Sequence, residues 1–318
     1  MKADAPSATA YLIASSTLFV AADPAAGRLV SRRAAELSAS FIRTSSRLAR
    51  LAQSALLTRR STRPFVSALE RLTLPGIQLH YALRKRYLEE TTRASIAEGF
   101  HQVVVFGAGY DTLALRLCEE FPHVRFIEID HPATQRRKTE ALAADALDGD
   151  NTAHRRIANN LHFLPLDLTR RAVAHALNGF GRFDPVAPTL YIAEGLLMYL
   201  APREVDELFQ TIRDCRSGKT RARFAFTFME QRAGGRVNFL TRSRAVDAWL
   251  NWRREVFKWG VPRAELPGFL AARGFAPRQV ATEETFRRLY LEPARLAHLP
   301  LAVGEYICVA DREGKDEL

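Results

Sequence analysis

Apolar residues in the first hundred positions recur at spacings of three and four, the pattern of helices that bury one face. Pro64 and the pair Pro75-Gly76 interrupt this pattern, so it predicts several helices rather than one. We expect residues 1–98 to form a helical extension that packs on the remainder of the chain. The periodic positions are Ala34, Leu37, Phe41, Ile42, Leu48, Leu51, Leu56 and Leu57.

The pattern changes at Gln102, where short apolar runs begin to alternate with helical stretches. Val103–Phe106 is a continuous apolar run, typical of a strand buried on both faces of a parallel sheet. The alternation predicts a doubly wound α/β domain over 99–318, with a mostly parallel sheet of seven strands. The predicted strands cover 103–106, 125–130, 162–166, 189–193, 223–228, 279–281 and 305–309.

One segment breaks the alternation, between the fifth and sixth predicted strands. Residues 231–264 include Gly234-Gly235 and all three tryptophans of the chain. Ligands bind α/β sheets at the carboxyl ends of the strands, which is where this segment starts. We predict a helical lid here, and the alternative is a helical hairpin whose aromatic residues belong to the core.

The turn after the first predicted strand reads Gly107-Ala108-Gly109-Tyr110-Asp111-Thr112. Glycines at a strand-to-helix junction let the backbone approach a ligand closely. A dinucleotide site would place a third glycine where Thr112 stands, and Asp111 would repel a pyrophosphate. The turn therefore favours S-adenosylmethionine, which carries a cationic amino-acid end, over a nicotinamide dinucleotide.

Carboxylates follow the next strands as well. Glu128, late in the second strand, could accept hydrogen bonds from ribose hydroxyls, a device that both kinds of nucleotide site use. Asp167, in the run Leu166-Asp167-Leu168, could accept from an adenine amino group or could cap a helix that begins at Thr169. Glu194 follows the fourth strand beside Gly195, a position that favours a functional role.

Composition adds a second hypothesis. Lys and Arg number 46 against 35 Asp and Glu, which gives a formal net charge of +11. Such a balance can indicate a nucleic-acid-binding protein. The basic residues are scattered as pairs such as Arg32-Arg33 and Arg287-Arg288, however, so exposed helix faces explain them better. An RNA-binding or tRNA-modifying protein remains the alternative.

Cysteine and histidine spacing excludes other classes. Cys118, Cys215 and Cys308 are far apart and form no disulfide framework, and no cluster has the spacing of metal ligands, so we expect no metal site. The apolar stretch at 8–22 has a weak basic region before it, so we do not interpret it as a signal peptide or the final Lys-Asp-Glu-Leu as a retention signal. We expect a cytoplasmic protein without membrane spans and with a small-molecule partner.

Five segments together resemble the leucine carboxyl methyltransferase family and its bacterial O-methyltransferase relatives of the tetracenomycin type. The resemblance runs from about residue 8 to 215 and is carried by the order of three motifs, GAGYDT, EIDHP and AEGLLMYL. The segments are Arg84–Glu90, Gln102–Thr112, Glu128–Pro132, Leu166–Leu168 and Pro188–Leu200.

The resemblance implies a class I methyltransferase fold and a role for each matching residue. Arg84 would reach the cofactor carboxylate, and Gly107 with Gly109 would line the methionine moiety. Glu128 would hold the ribose, Asp167 the adenine end, and Glu194 the region of the cofactor amino group. Family members often carry a basic residue in the first helix before an Asp-Pro, whereas Ser15–Ala22 before Asp23-Pro24 contains none.

Methyl transfer is an in-line displacement, so most catalysis can come from alignment in a dry site. A carboxylate acceptor is already ionised at neutral pH, whereas a phenol would need a base such as His131 or Glu194. Tyr199 is a candidate for positioning the acceptor. We therefore predict an O-methyltransferase that acts on a carboxylate or a phenolic hydroxyl of a small metabolite.

Overall fold

The computed structural model describes most of the chain. The described residues are 8–43, 62–147, 158–169, 173–214, 220–232, 234–240 and 257–312. Seven strands form one sheet, and their bounds are β1 Gln102–Phe106, β2 Arg125–Asp130, β3 Leu161–Pro165, β4 Thr189–Ala193, β5 Ala222–Met229, β6 Phe275–Ala281 and β7 Glu305–Arg312. The α-helices are α1 Ala8–Ala21, α2 Arg32–Arg43, α3 Arg63–Thr73, α4 Ile77–Ala97, α5 Leu113–Glu120, α6 Pro132–Leu147, α7 Val173–Asn178, α8 Pro202–Asp214, α9 Leu266–Ala271 and α10 Glu283–Phe286.

The sheet has the strand order β3-β2-β1-β4-β5-β7-β6. The first five strands are parallel, and all residues of β1 and β4 are buried, as their uninterrupted apolar sequences predicted. The order reverses between β1 and β4, which places the carboxyl ends of β2, β1 and β4 side by side around the switch point. The prediction of a mostly parallel, seven-stranded α/β fold is confirmed.

Strand β7 runs antiparallel between β5 and β6. Its register pairs Met229 with Glu305 at one end and Arg223 with Asp311 at the other. Because β7 runs backwards, its first residue lies beside the carboxyl end of β5, at the same edge as the switch point. A residue late in the sequence is thereby brought to the edge where ligands bind.

The described part of the extension is helical and packs on the sheet domain. Helices α1 and α2 lie against each other, and α1 also contacts α4. Phe41 in α2 and Leu83 in α4 are fully buried in the core that covers one face of β1. Four of the periodic leucines, Leu48, Leu51, Leu56 and Leu57, lie outside the described residues. The boundary at residue 98 stays a prediction.

The described residues include only part of the predicted lid. Residues 231–240, apart from 233, and residues 257–264 are irregular and contain no helix, with one isolated bridge between Gln231 and Val237. Trp259 is buried and contacts Phe269 at a centroid distance of 5.5 Å, so it belongs to the core. The remaining stretch, 241–256, lies outside the described residues, and the lid stays a prediction.

Candidate functional site

The glycine turn lies at the carboxyl end of β1. Gly107 and Gly109 have φ angles of +62° and +49°, which favour glycine. Gly107 N donates to Ile129 O at 2.8 Å, and a Cβ at this position would lie 2.9 Å from Leu196 Cδ1. Ala108 between them is buried. The turn is therefore shaped by its two neighbours, the end of β2 and the loop after β4.

Asp130, the last residue of β2, anchors this turn. One of its oxygens accepts a hydrogen bond from Gly109 N, and the other accepts from His131 N at 2.5 Å. Burial raises the pKa of the Asp130 carboxyl, although both backbone donors favour its ionised form. The sequence analysis did not select Asp130, but a second carboxylate two positions after Glu128 on the same strand face was the available signal.

Glu128 lies on the same face of β2 and is only 1% exposed. Its Oε2 accepts a hydrogen bond from Lys138 Nζ at 2.7 Å, and the same ammonium donates to Asp111 O at 2.6 Å. Burial raises the pKa of Glu128 to about 7, although the Lys138 ammonium favours ionisation. Among the described residues, Glu128 Oε1 has no hydrogen-bond partner. This buried oxygen can accept from a bound hydroxyl.

Lys138 was not selected from the sequence. It lies in α6, directly after β2, and is as deeply buried as Glu128. A lysine inside a helix after a nucleotide-binding strand gives no signal by itself, because most lysines there face the solvent.

On the other side of β1, Lys85 joins two of the predicted residues. Its Nζ donates to Asp111 Oδ1 at 2.8 Å and to Glu194 Oε2 at 3.2 Å. Burial alone would raise the pKa of Asp111, but the Lys85 ammonium outweighs it and holds that pKa at about 2. Burial likewise opposes the charge of Lys85, yet the two carboxylates raise its pKa. Asp111 is therefore held as an anion, and one ammonium group bridges Asp111 and Glu194.

Arg84 points at the same cluster and is 2% exposed. Its Nε donates to Glu194 Oε1 at 2.9 Å, and its Nη1 donates to both oxygens of Glu305 at 2.7 and 2.8 Å. Its Nη2 lies 2.9 Å from Glu194 Oε1 without making a hydrogen bond and has no other partner among the described residues. Two protein carboxylates thus hold the guanidinium that the family resemblance assigned to a ligand carboxylate, and Nη2 is the terminal nitrogen that makes no hydrogen bond among the described residues.

The carboxylate that completes this arrangement, Glu305, was missed by the sequence analysis. Its side chain is 1% exposed, and its Oε2 lies 2.9 Å from His80 Nε2. Burial alone would raise the pKa of Glu305, but Arg84 and His80 hold it at about 2. Its position in the first residue of β7 could not be foreseen without the antiparallel placement of that strand.

Asp167 follows β3 and makes a local turn. Its Oδ1 accepts from Thr169 N at 3.0 Å and from Thr169 Oγ1 at 2.7 Å, while Oδ2 lies 3.9 Å from His131 Nε2. Leu168 is half-buried against the core. Asp167 and Leu168 thus flank the site on the β3 side, and Oδ1 is already engaged.

Tyr199 lies on the opposite side, in the short 3-10 helix Leu197–Tyr199 after β4. Its ring meets that of Phe257 edge to face at 5.5 Å, and both pack against the buried cluster that contains Met198 and Phe239. The structure therefore separates the two candidate bases. Glu194 lies on the Tyr199 side, and His131 lies beyond β2 near Asp167.

Helix α1 contributes no cation to these contacts within the described residues. Ser15, Ser16 and Thr17 are buried, and the last two bond to carbonyls of their own helix. Just after the end of α1, Asp23 Oδ2 accepts a hydrogen bond from Arg63 Nη2 at 2.7 Å.

The described residues contain no group of three or more His, Cys, Asp or Glu side chains arranged to hold a metal ion. No described helix combines the length and the apolar character needed to cross a membrane. Cys118 and Cys308 are buried, and burial raises the pKa of both thiols to about 12.

Comparison with solved structures supports the fold. A candidate methyltransferase from Thermobifida fusca superposes with a TM-score of 0.51 over 86% of this chain and 97% of that chain, at 14% sequence identity. At this identity the similarity shows the fold alone. It agrees with the class I methyltransferase fold expected from the motifs.

Comparison of sequences goes further. A candidate S-adenosyl-L-methionine-dependent methyltransferase of Mycobacterium tuberculosis is 33% identical over 216 residues, which cover 66% of this chain and 64% of that protein. A relative of the same description from Saccharopolyspora erythraea is 37% identical over 136 residues, 42% of this chain and 43% of that protein. The cofactor in both descriptions is the one favoured by the glycine turn.

The family profile described as leucine carboxyl methyltransferase matches residues 8–213. This range contains the extension, the glycine turn, Glu128, Asp167 and Glu194. The chain belongs to the leucine carboxyl methyltransferase family.

Proposed function

We propose that this chain is an S-adenosylmethionine-dependent methyltransferase that methylates an oxygen of a small acceptor. One observation carries the proposal: two buried polar atoms on opposite sides of β1, Glu128 Oε1 and Arg84 Nη2, make no hydrogen bond among the described residues, although Nη2 lies 2.9 Å from Glu194 Oε1. The first accepts hydrogen bonds and suits a ribose hydroxyl. The second donates and suits the carboxylate at the amino-acid end of the cofactor.

The charge of the site favours this cofactor over a dinucleotide. Three cations, Arg84, Lys85 and Lys138, face five carboxylates, so acidic groups outnumber these cations in the cluster. The carboxylates are Asp111, Glu128, Asp130, Glu194 and Glu305. A sulfonium ligand with a protonated amino group compensates this charge, whereas a pyrophosphate would add to it.

Bound S-adenosylmethionine supplies an electrophilic methyl group. The residues of this chain would bind the cofactor and align it with the acceptor. Glu128 holds a ribose hydroxyl, the turn Gly107–Gly109 lets the backbone approach the ligand, and Arg84 Nη2 meets the carboxylate. Burial of Glu128 and Arg84 excludes water from these contacts, which strengthens each of them. Alignment in such a site accounts for most of the rate of a displacement reaction.

A carboxylate acceptor fits the site better than a phenol. Both oxygens of Glu194 accept hydrogen bonds from cations, so Glu194 is not free to remove a proton. His131 Nδ1 accepts a hydrogen bond from Ala133 N at 3.3 Å and lies on the Asp167 side. An acceptor that is already ionised needs neither base. Tyr199 and Phe257 offer an aromatic wall for its apolar part.

The first test is calorimetric titration with S-adenosylhomocysteine, with NAD as the control ligand. We expect saturable binding of S-adenosylhomocysteine alone. Glu128→Gln keeps the shape of the side chain but removes its charge, and we expect it to weaken binding about 10- to 100-fold, since a hydrogen bond to a charged group contributes about 1.5–3 kcal/mol. Binding of NAD, or no binding of either ligand, would contradict the proposal.

A second test identifies the acceptor atom. The chain is incubated with methyl-labelled S-adenosylmethionine and a set of small carboxylic acids and phenols, and the products are treated with mild base. Carboxyl methyl esters release labelled methanol under this treatment, whereas methyl ethers of phenols do not. Label that resists base would overturn the carboxylate assignment and retain the methyltransferase.

The nucleic-acid alternative stays a prediction. The basic residues that raised it are often paired on exposed helix faces, as in Arg32–Glu36 and Arg203–Glu207. A binding constant for tRNA that falls steeply with salt concentration would support it.

A further inference from the structure

We propose that Glu305 and His80 are positioning residues, which hold Arg84 so that its Nη2 stays available to the carboxylate of the bound cofactor. This inference rests on the proposed function. It assigns a role to β7, which lies outside the part of the chain matched by the family profile.

The geometry of Arg84 shows a competition between two carboxylates. Glu194 lies where it could form a two-pronged pair with Nε and Nη2, the usual fork of arginine with a carboxylate. Nε does donate to Glu194 Oε1, but Nη2, at the same distance of 2.9 Å, makes no hydrogen bond. On the far side, Nη1 donates to both oxygens of Glu305. Glu305 therefore holds the guanidinium in an orientation that leaves the second prong of the fork open.

His80 fixes Glu305 in turn. His80 and Arg84 are four residues apart on α4, so their side chains lie on the same helix face. His80 Nε2 contacts Glu305 Oε2 at 2.9 Å, and the imidazole ring meets the rings of Phe239 and Phe286 at 6.0 and 5.8 Å. The carboxylate is thus held from two points on one rigid helix.

The backbone holds the two elements together at both ends of this contact. Gly76, directly before α4, has φ +76°, and a Cβ there would lie 2.3 Å from Pro300 O. Gly304, directly before Glu305, has φ +117°, and a Cβ there would lie 3.1 Å from Asn238 O. The start of α4 therefore packs closely on residues 300–301, just before β7, and the residue before Glu305 packs closely on residues 238–240, which restricts where Glu305 can lie.

The open nitrogen faces the site. A Cβ built on Gly195, the residue after Glu194, would lie 3.3 Å from Arg84 Nη2. Gly195 has φ +61°, and its N donates to Thr227 Oγ1 at 2.8 Å. The space that a side chain would fill lies over Nη2.

The matched control is a second buried arginine whose carboxylate partner also lies on β7. Arg223 in β5 is 2% exposed and bonds to Asp311, near the other end of β7, through Nε at 2.6 Å and Nη2 at 3.0 Å. Its Nη1 donates to Ser95 Oγ and its Nη2 also donates to Glu98. Removing a charge from Asp311 therefore disturbs a comparable ion pair away from the proposed site.

The experiment compares two ligands in the full chain. S-adenosylhomocysteine carries the amino-acid end, and 5′-methylthioadenosine lacks it. In Glu305→Gln we expect Arg84 Nη2 to form a hydrogen bond with Glu194 and so to become unavailable to the ligand. The calorimetric affinity for S-adenosylhomocysteine should then fall at least tenfold, while that for 5′-methylthioadenosine should stay within twofold. Asp311→Asn should leave both affinities within twofold. His80→Phe, which keeps the aromatic contacts, should weaken S-adenosylhomocysteine binding about threefold, and it carries the test if Glu305→Gln does not fold.

The outcomes separate the two proposals. If the unmodified chain does not bind S-adenosylhomocysteine, the proposed function fails and the positioning role fails with it. If the unmodified chain binds it and Glu305→Gln changes both ligands equally or neither, Glu305 is only structural and the positioning role alone is overturned.

Discussion

Strands β5 and β7 carry two buried arginine clusters, one near each end, and the clusters differ in one respect. Around Arg223, every terminal nitrogen of the guanidinium donates to a described partner, namely Ser95, Glu98 or Asp311. Around Arg84, one terminal nitrogen, Nη2, makes no hydrogen bond among the described residues, although it lies 2.9 Å from Glu194 Oε1. The guanidinium of Arg223 is thus fully hydrogen-bonded at one edge of the sheet, whereas that of Arg84 is not, among the described residues, at the edge where the parallel strands end. An unsatisfied buried donor is costly in a purely structural cluster, so the open nitrogen points to a ligand.

Replacing each arginine is the test of this difference with the largest expected effect. Arg84→Met leaves Glu194 with Lys85 alone and Glu305 with His80 alone, and we expect a loss of about 3–5 kcal/mol in the free energy of unfolding. We also expect S-adenosylhomocysteine affinity to fall at least about 100-fold, since truncating one partner of a buried charged pair costs about 2–5 kcal/mol. Urea unfolding and calorimetry measure the two effects.

Arg223→Met is the control for that variant. Its partner Asp311 is 39% exposed at the side chain, so water can solvate the charge that remains and the loss of stability should be smaller. Ligand affinity of the folded protein should not change. Equal losses of affinity in the two variants would show that the clusters do not differ in function.

The next test uses the pH dependence of stability. Burial raises the pKa of Glu128 to about 7, above its ordinary value of 4.5, so the folded chain binds this proton more tightly than the unfolded chain. The free energy of unfolding should therefore fall by roughly 3 kcal/mol as the pH rises from about 4.5 to 7. Glu128→Gln should remove most of this slope in urea unfolding across that range. A slope that the variant retains in full must come from other groups.

Gly195→Ala sharpens the comparison at the open nitrogen. The φ of +61° costs an alanine about 1–2 kcal/mol, and the new Cβ fills the space over Arg84 Nη2, so ligand affinity should fall as well. Gly274→Ala is the control, because Gly274 has φ +76° and a Cβ there would meet no atom within 4 Å. Both variants should lose similar stability in thermal unfolding, and only Gly195→Ala should lose affinity for S-adenosylhomocysteine.

The smallest effect is expected at the surface. Arg32 and Glu36 form an exposed pair four residues apart on α2, with side-chain exposures of 94% and 43%. Glu36→Gln should change the free energy of unfolding by no more than about 0.5 kcal/mol, because water screens such pairs. A loss comparable to that of Arg223→Met would mean that burial is not what separates these ion pairs.

Local pattern was sufficient for the strands and for the glycine turn. The bounds predicted for β2 and β4 agree with the structure. The third strand lies one residue earlier than predicted, at Leu161–Pro165. Gly107 and Gly109 have the positive φ angles that their position between β1 and α5 indicated.

What the sequence could not give was the pairing of charges across long separations. Glu305 reaches Arg84 over 221 positions, and only the antiparallel insertion of β7 brings the two together. Lys138 gave no signal because its burial depends on how α6 packs over β2. The sequence left two roles open for Asp167, an adenine contact and a helix cap, and the structure shows its Oδ1 in a local turn with Thr169. Short-range signals do not decide between contacts that depend on tertiary packing.

The position of Glu305 at the start of β7 also bears on the biosynthesis of the protein. The glycine turn, Glu128 and Glu194 are all translated before residue 200, yet the guanidinium that faces them is held by a carboxylate made more than a hundred residues later. A nascent chain that has not released residue 305 from the ribosome leaves Arg84 free to close on Glu194. If Glu305 positions Arg84 as proposed, tight cofactor binding begins only after β7 has been inserted between β5 and β6, and the cofactor does not act as a template for the earlier steps of folding.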